Sequence, residues 1–318
     1  MRYTYYENAD VNISELCLGT WGLDDTRWNG HGDYKEAIEV MHALVDQGVN
    51  LIDTAANYGN GLSEKVVGKF LQEIDRSKVY ISTKFGTVND LYTGGVYRDA
   101  SFRNVIRECA SSLKNLKTDY IDFYFMHWPD ASTPISETMA ALEHLRRMGY
   151  IRFIGLSNTE LPLLKEAMKY GKVDVIQPPY SLIDQRYKET MEFAKANGIA
   201  VMGYGSMGGG VLTGKHRTMP DWPKTDVRFS FYKGFTEPKF SKIQELFKVV
   251  DPIAEKYNAE VSQVILNWTV QQSYVSSALI GITSMKHVEE NLKTFDFKLT
   301  DEEIAIISKE TERLGITL

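Results

Sequence analysis

The sequence is poor in cysteine and has no long apolar run, and each absence excludes a class of protein. Its 318 residues include only two cysteines, Cys17 and Cys109, so a disulfide framework is not expected and a reducing compartment is favoured. The first residues lack an apolar core of signal-peptide length, and no segment approaches the length of a membrane span. We therefore predict a cytoplasmic protein that does not enter a membrane.

An excess of charge of one sign is also missing. The chain has 36 basic and 42 acidic residues, a net charge of −6, and 43% of its residues are hydrophobic. No global field therefore favours nucleic acid or a membrane surface as a partner, whereas the length allows a large buried core. The expected partner is a small molecule, and the sequence leaves monomer and homo-oligomer open.

Apolar, strand-like runs alternate with amphipathic helical segments along the chain. Seven such runs can be counted from "VNLID" onward, and "LCLGT" is an eighth at the front. Eight alternating units predict an α/β fold, a (β/α)8 TIM barrel that takes up residues 1–318 as one domain. A β-hairpin around "ENAD" precedes the barrel, and a C-terminal helix, "DEEIAIISKETERLG", follows it.

A doubly wound open sheet is the alternative fold. It is disfavoured because no G-x-G-x-x-G follows the first strand, as a dinucleotide site of that fold requires. Residues 205–238 form one long irregular stretch after the seventh strand. A loop of that length in a compact domain is usually functional.

Four ionisable side chains lie at or just beyond the ends of three successive predicted strands: Asp53, Tyr58, Lys84 and His127. In a barrel these ends meet at the catalytic face. A lysine buried there needs an anion, which Asp53 supplies. We expect the ammonium to lower the pKa of Tyr58, so that the phenol donates a proton, and His127 to polarise the same substrate oxygen. Such a set suits protonation of an oxygen while another group attacks its carbon.

A barrel glycosidase is a weaker reading of the same strand ends. That chemistry needs two carboxylic acids across the scissile bond. Only Asp53 is available at these strand ends, and it is already assigned to Lys84.

Several blocks of sequence carry a resemblance to a known family: "LCLGTWG", "LIDTAANYGNGLSE", "STKFG", "DYIDFYFMHWPD", "IRFIGLSN", "VLTGK" and "EEN". In this order they resemble the aldo-keto reductases over nearly the full length. The similar branch includes bacterial sugar and inositol-related reductases and potassium-channel β subunits. The resemblance implies Tyr58 as general acid, Lys84 and Asp53 as its tuning pair, and His127 as the residue that orients the carbonyl. It also implies hydride transfer with NADP(H) or NAD(H) and no metal.

The resemblance further implies where a nicotinamide cofactor binds. Ser157, Asn158 and Gln177 would hold the carboxamide, Tyr204 would stack on the ring, and Gly19, Thr20 and Trp21 would line its other side. The pyrophosphate and adenosine contacts would come from Ser206, Leu212, Gly214, Lys215, Arg228, Gly281, Thr283, His287, Glu290 and Asn291. The family usually has serine directly after the tyrosine, whereas Gly205 precedes Ser206 here. This shift leaves open which hydroxyl contacts the phosphates.

The adenosine end departs from the family pattern. Positions that are usually basic in members preferring NADP correspond to Thr283 and His287, which leaves Lys286 as the only cation nearby. Loss of charge-assisted hydrogen bonds to the 2′-phosphate predicts a weakened NADP preference and use of NAD. The family resemblance alone leans slightly towards NADP(H).

The predicted substrate pocket is bordered by aromatic residues, with Trp28, His31, Phe85 and Trp128 as its substrate contacts and Trp21 and Tyr58 beside them. Such platforms suit the face of a sugar, polyol or inosose, or a flat aromatic aldehyde or ketone. The resemblance also implies an alternative of another class, a cofactor-sensing regulatory subunit with little turnover.

Overall fold

A closed barrel of eight parallel strands forms the centre of the computed structural model, which describes residues 1–23, 34–90, 93–222, 226–282 and 284–317. The strands are β1 (Tyr3–Tyr6), β2 (Val11–Ser14), β3 (Leu16–Gly19), β4 (Leu51–Asp53), β5 (Tyr80–Phe85), β6 (Thr87–Asn89), β7 (Val96–Arg98), β8 (Ile121–Met126), β9 (Ile151–Ser157), β10 (Val175–Gln177), β11 (Ala200–Tyr204) and β12 (Ser277–Gly281). The barrel runs in the order β3, β4, β5, β8, β9, β10, β11, β12 and closes back onto β3. The predicted (β/α)8 barrel is thereby confirmed.

Helices surround this barrel. They are α1 (Lys35–Asp46), α2 (Leu62–Leu71), α3 (Phe102–Leu116), α4 (Ile135–Arg147), α5 (Leu161–Ala167), α6 (Lys188–Ala196), α7 (Val227–Phe231), α8 (Lys239–Lys256), α9 (Val261–Val270), α10 (Met285–Leu292) and α11 (Asp301–Leu314). Short 3₁₀ helices span Tyr58–Gly61, Arg76–Lys78, Gly208–Thr213 and Lys293–Asp296. Among the described residues, no helix is both long and apolar enough to cross a membrane.

The predicted N-terminal hairpin and C-terminal helix are both present. Strands β1 and β2 pair antiparallel, and Tyr6 and Ile13 pack with Phe123 of β8 in an apolar cluster that includes barrel residues. Helix α11 begins with a capping box, in which Thr300 accepts from the Glu303 backbone N–H while the Glu303 side chain accepts from that of Thr300. These local signals explain why both elements could be predicted.

Strand alternation separates two apolar layers. On β8, Phe123 and Phe125 belong to the cluster that contains the hairpin residues, whereas Tyr124 and Met126 pack in the larger cluster shared with the helices. Successive side chains of a strand point to opposite faces. The same rule places Lys84 and its neighbour Phe85 of β5 on opposite sides of the barrel wall.

Residues 205–238, predicted as an irregular stretch, contain the 3₁₀ helix Gly208–Thr213 and helix α7. The sequence analysis missed these two elements, as well as helix α8 and the β6–β7 hairpin. An aromatic cluster stabilises this segment: the Trp222 ring centroid lies 5.0 Å from that of His216 and 4.8 Å from that of Phe235. The stretch therefore packs on its own side chains.

Candidate active site

A buried ion pair lies at the centre of the site. The Lys84 ammonium donates to Oδ2 of Asp53 at 2.6 Å and to the backbone carbonyl of Thr54 at 2.8 Å. Both charged side chains are at least 96% buried. Burial lowers the pKa of Lys84, while the Asp53 carboxylate opposes that shift. The strand ends predicted to converge do so, and Asp53 is the anion beside Lys84.

Tyr58 lies beside this pair in the turn after β4. The centroid of its ring is 5.1 Å from the Lys84 nitrogen. Burial and then the charge of Asp53 raise the pKa of Tyr58 well above its usual value of 10.0. The expectation of a lowered pKa is therefore wrong for this structure, because burial and the Asp53 carboxylate raise the pKa of the phenol. The phenol remains protonated at neutral pH.

His127 follows β8 directly and packs edge-on against Tyr58, with 5.8 Å between ring centroids. Its backbone N–H donates to the Phe85 carbonyl, and its own carbonyl accepts from Asn158 Nδ2. Burial lowers the pKa of His127 well below 6.5, and the charges of Lys84 and Arg98 add to that effect. The imidazole is therefore neutral. Its Nδ1 is buried without a hydrogen-bond partner in the described part of the chain.

The four residues predicted around the carboxamide and ring lie together across β9, β10 and β11. Ser157 Oγ donates to the Gln177 carbonyl at 2.8 Å, and Asn158 Nδ2 donates to Ser157 Oγ at 3.0 Å. The Tyr204 hydroxyl donates to Asn158 Oδ1 at 2.7 Å. Gln177 Nε2 donates to Asp53 Oδ1 at 2.9 Å, so this set is joined to the ion pair.

The residues predicted for the other side of the ring follow β3. Thr20 is buried, and its hydroxyl lies within hydrogen-bond distance of the Asp53 carbonyl (2.8 Å) and Ser63 Oγ (2.7 Å). This hydroxyl therefore links the end of β4, through the Asp53 carbonyl, to Ser63 of helix α2. Trp21 contacts α7 and the residue after it, with 5.4 Å between its ring centroid and that of Phe231. Gly19 ends β3 beside Gly281 of β12.

The glycine-rich loop after β11 fits a phosphate group. Ser206 is 1% exposed, and its Oγ has no hydrogen-bond partner among residues that the structure describes. Gly209 and Gly210 have φ values of 69° and 102°, in the left-handed region. A Cβ on Gly210 would meet nothing within 4 Å, so its backbone can be approached closely. A buried, unpaired hydroxyl and an open stretch of backbone in the same loop suit an anionic ligand.

Two further residues of the predicted phosphate segment have structural contacts. Leu212 is fully buried, and Gly214 has a φ of 75° where a Cβ would lie 2.9 Å from Val261. Arg228, predicted to close over the cofactor, instead donates twice to Asp226 and lies 3.3 Å above the Trp222 ring centroid. The guanidinium is held by its own loop because the ion pair and the aromatic face both bind it locally.

The predicted adenosine end contains more positive charge than the sequence suggested. Lys215, predicted for the pyrophosphate, lies 3.3 Å from His287 Nε2 and 3.6 Å from a Glu290 carboxylate oxygen. Lys286 lies 3.5 Å from the other oxygen of Glu290. Lys286 is therefore not the only cation nearby. Burial and Lys215 lower the pKa of His287, and Asn291 donates to the His287 carbonyl.

The predicted substrate contacts divide into three groups. Trp128 lines a cavity of about 230 Å³ at the barrel mouth, together with Asn158 and Tyr204. Phe85 does not reach it: the side chain is 1% exposed and packs against Tyr124, 4.9 Å between ring centroids, between strands and helices. Alternation along β5 sends Phe85 outward because Lys84 points inward. Trp28 and His31, like Thr283 at the adenosine end, lie outside the described residues.

Sequence reasoning missed other residues of this cavity. Arg186 and Tyr187 come from the segment after β10, and Phe231 and Tyr232 from the end of α7. The Arg186 guanidinium donates to both oxygens of Asp184. The signal that could have found the first pair is their position after the strand that ends in Gln177, because barrel sites are built from such loops.

Comparison with known proteins places this geometry in a family context. A model of the Aldo/keto reductase family matches residues 15–312. The aldo-keto reductase YhdN of Bacillus subtilis (strain 168) is 36% identical over 284 residues, covering 88% of this chain and 85% of that protein. The NADH-specific methylglyoxal reductase of Escherichia coli (strain K12) is 32% identical over 319 residues, covering 96% and 97%. A solved glycerol dehydrogenase from Gluconobacter oxydans has a TM-score of 0.90 and 30% identity, covering 99% of this chain and 97% of that one.

Proposed function

Because the chain belongs to the aldo/keto reductase family and is an NAD(P)-dependent oxidoreductase, we propose that it transfers hydride between nicotinamide and the carbonyl or alcohol carbon of a small, oxygen-rich substrate. The observation that carries this proposal is the buried Lys84–Asp53 pair, with Tyr58 and His127 packed beside it at one end of the barrel. A bound nicotinamide would supply or accept the hydride, and the side chains would manage the proton.

Tyr58 exchanges that proton with the substrate oxygen. Its raised pKa keeps the phenol protonated at neutral pH, which suits a general acid in the reducing direction. In the oxidising direction the phenol oxygen of Tyr58 must first lose its proton so that it can act as the base. Oxidation is therefore favoured by alkaline conditions. Lys84 stabilises the developing phenolate, and Asp53 keeps the buried ammonium from being an unpaired charge.

His127 orients the oxygen that accepts the proton. A neutral imidazole carries one N–H and so can donate a hydrogen bond to a carbonyl or alkoxide oxygen without competing as an acid. The lowered pKa of His127 supports this role. His127 lies beside both Tyr58 and Trp128, with 5.8 Å and 6.5 Å between ring centroids.

The chain's own groups would hold the cofactor along the barrel mouth. Ser157, Asn158 and Gln177 offer both donors and acceptors to a carboxamide, and Tyr204 offers an aromatic face. Ser206 and the open backbone at Gly210 would face phosphate. Lys215, His287 and Glu290 form a mixed-charge group at the adenosine end, which supports binding of both NADH and NADPH with a reduced preference for the second.

Two observations support the proposed substrate class. A cavity of about 230 Å³ adjoins the predicted nicotinamide contacts Asn158 and Tyr204, and its Trp128, Tyr187 and Arg186 side chains offer one face for stacking and polar groups for substrate oxygens. The names of two relatives, a methylglyoxal reductase and a glycerol dehydrogenase, support short oxygenated carbon chains. We therefore place sugars, polyols and inososes, with their carbonyl counterparts, before aromatic aldehydes and ketones.

The test is a matched set of initial rates with NADH and NADPH. Methylglyoxal, glyceraldehyde and benzaldehyde would be reduced, and glycerol and myo-inositol oxidised, by the wild-type protein and a Lys84→Met variant. We expect turnover of at least one short oxygenated substrate and its loss in the variant. Exclusive turnover of benzaldehyde would contradict the substrate class. Tight cofactor binding with no turnover of any substrate would favour the regulatory alternative.

A further inference from the structure

Both carboxylate oxygens of Asp53 are engaged, and they have different partners. Oδ2 accepts from the Lys84 ammonium at 2.6 Å. Oδ1 accepts from two neutral donors, the Ser82 hydroxyl at 2.6 Å and Gln177 Nε2 at 2.9 Å. All four side chains are buried, and Ser82 is 0% exposed. The cation therefore contacts one oxygen, and the neutral groups occupy the other.

The barrel brings these donors from two directions. Ser82 is the register partner of Asp53 on the neighbouring strand β5, and it precedes Lys84 by two residues on the same face. Gln177 ends β10, which lies opposite β4 in the closed strand order. Its side chain therefore crosses the barrel interior to reach Asp53. Two independent strands restrain the carboxylate, which is more than an ion pair with Lys84 requires.

The neutral donors also disperse the charge of Asp53. Hydrogen bonds to an ionised carboxylate stabilise the charged form and weaken its field at neighbouring groups. Tyr58 feels that field, because Asp53 contributes to its raised pKa. Among the residues that the structure describes, the other ionisable groups that interact with Asp53 or Tyr58 are Lys84, His127, Tyr204 and Cys17, with Glu64 acting on Lys84.

We propose that Ser82 and Gln177 are positioning residues: they hold Asp53 with Oδ2 towards Lys84, and they set the pH range in which Tyr58 exchanges its proton. This inference rests on the proposed function of Tyr58. Neither side chain needs to touch the substrate for it. The family resemblance assigned Gln177 to the cofactor only, and it assigned nothing to Ser82.

Gln177 also links the cofactor site to the ion pair. Its Nε2 is used by Asp53, with Met202 Sδ a weaker contact at 3.8 Å, so Oε1 is the atom left to accept from a carboxamide. An amide that accepts at its oxygen becomes a better donor at its nitrogen. Occupation of the carboxamide site would therefore strengthen the bond to Asp53 and ease the loss of the Tyr58 proton.

The test is the pH profile of a Ser82→Ala variant in both reaction directions. Without the hydroxyl, more of the Asp53 charge acts on Tyr58, so the pKa of the phenol moves up. The alkaline limb of reduction and the half-maximal pH of oxidation should therefore both move up by about 0.5–1 unit. Affinity for NADH, measured by fluorescence titration, should stay within about twofold because Ser82 contacts Asp53 rather than the carboxamide group.

Two variants separate positioning from general damage. Ser277→Ala removes another fully buried barrel serine, which hydrogen-bonds with Tyr6 and the Ser14 carbonyl. Both limbs of the pH–rate profile of this variant should stay at their wild-type positions. Ser82→Thr keeps the hydroxyl and should restore the wild-type profile. If Ser82→Ala does not fold, Ser82→Cys, whose thiol is a weaker donor, should move both limbs of the pH profile in the same upward direction. A uniform loss of rate with unmoved limbs, or an equal shift in Ser277→Ala or Ser82→Thr, would overturn the proposal. Failure of the wild-type protein to bind either dinucleotide would overturn the proposed function as well.

Discussion

The Lys215 ammonium lies 3.3 Å from Nε2 of His287, although Lys215 follows the 3₁₀ helix after β11 and His287 lies in helix α10. At this distance the neutral imidazole accepts a hydrogen bond from the cation, and protonation of the ring would place two positive charges side by side. Glu290 lies 3.6 Å from the same ammonium and offsets part of that charge. The pair therefore gives the proposed adenosine end a positive charge that depends on pH.

The first prediction concerns the cofactor contact of Lys215. If it faces the 2′-phosphate, Lys215→Ala should weaken NADPH binding about tenfold or more, the cost of one charged hydrogen bond, and NADH binding less than about threefold. Fluorescence titrations of both dinucleotides at one salt concentration measure this. The exposed Lys309 of α11 offers a matched control, Lys309→Ala, which should change neither affinity. Equal losses of affinity for both dinucleotides would mean that Lys215 contacts the pyrophosphate and not the 2′-phosphate.

The same contact predicts a pH effect on cofactor choice. The pKa of His287 is lowered by burial and by Lys215, and a phosphate dianion nearby would raise it again. NADPH binding should therefore take up a proton and tighten, relative to NADH, as pH falls from about 7 to about 6. Calorimetry in buffers of different ionisation enthalpy measures that proton. A His287→Gln variant should lose the pH dependence, and its retention there would assign the proton to another group.

The catalytic role of Tyr58 predicts a clean separation of turnover from binding. Tyr58→Phe should reduce kcat by a factor of about 10²–10⁴, the usual contribution of a positioned acid or base, because no other described side chain replaces the phenol beside Lys84. Nicotinamide affinity should stay within about threefold. Tyr6→Phe is the matched control, since that phenol is buried at the N-terminal hairpin and donates to Ser277. More than a tenth of wild-type activity in Tyr58→Phe would remove Tyr58 from the mechanism.

The fold could be predicted because hydrophobic periodicity is a local feature of the sequence. The predictions that were wrong depend instead on how side chains pack in three dimensions. Alternating strands and helices specify the barrel, and strand ends specify where Asp53 and Lys84 meet. Strand alternation should already have excluded Phe85 from the pocket. The direction in which the pKa of Tyr58 shifts could not be predicted from sequence, because burial and the distance to the Asp53 charge are properties of the packed site. The Lys215 contact depends on the path of a loop that no periodic pattern describes.

The correction at Phe85 leads to a paired prediction with Trp128. Trp128→Ala should lower kcat/KM for the best substrate roughly 3–10-fold through loss of a stacking face. Phe85→Leu should leave KM unchanged and lower the free energy of unfolding by about 1–3 kcal/mol, as a buried repacking does. Steady-state kinetics and urea unfolding measure the two effects. A KM effect in Phe85→Leu larger than in Trp128→Ala would mean that the pocket lies elsewhere.

The last prediction is a pH dependence of stability carried by His127. Burial and the charges of Lys84 and Arg98 hold the pKa of His127 well below 6.5 in the folded protein, whereas the unfolded chain has a pKa of about 6.5. Below that value the unfolded state binds the additional proton, so the free energy of unfolding falls as pH falls. The contribution reaches about 1.4 kcal/mol per pH unit and persists down to the folded pKa.

A His127→Gln variant isolates this contribution because glutamine keeps polar atoms but does not titrate. Urea unfolding at several pH values between about 6.5 and 5 should give a shallower slope in His127→Gln than in the wild-type protein, by up to about 1.4 kcal/mol per unit. His144→Gln, on helix α4, changes the same residue type away from the site and should keep the wild-type slope. Identical slopes for all three proteins would mean that the pKa of His127 is not lowered in the folded protein. A larger fraction of the imidazole would then be charged near pH 6.5, and that fraction would compete with Tyr58 as proton donor to the substrate oxygen.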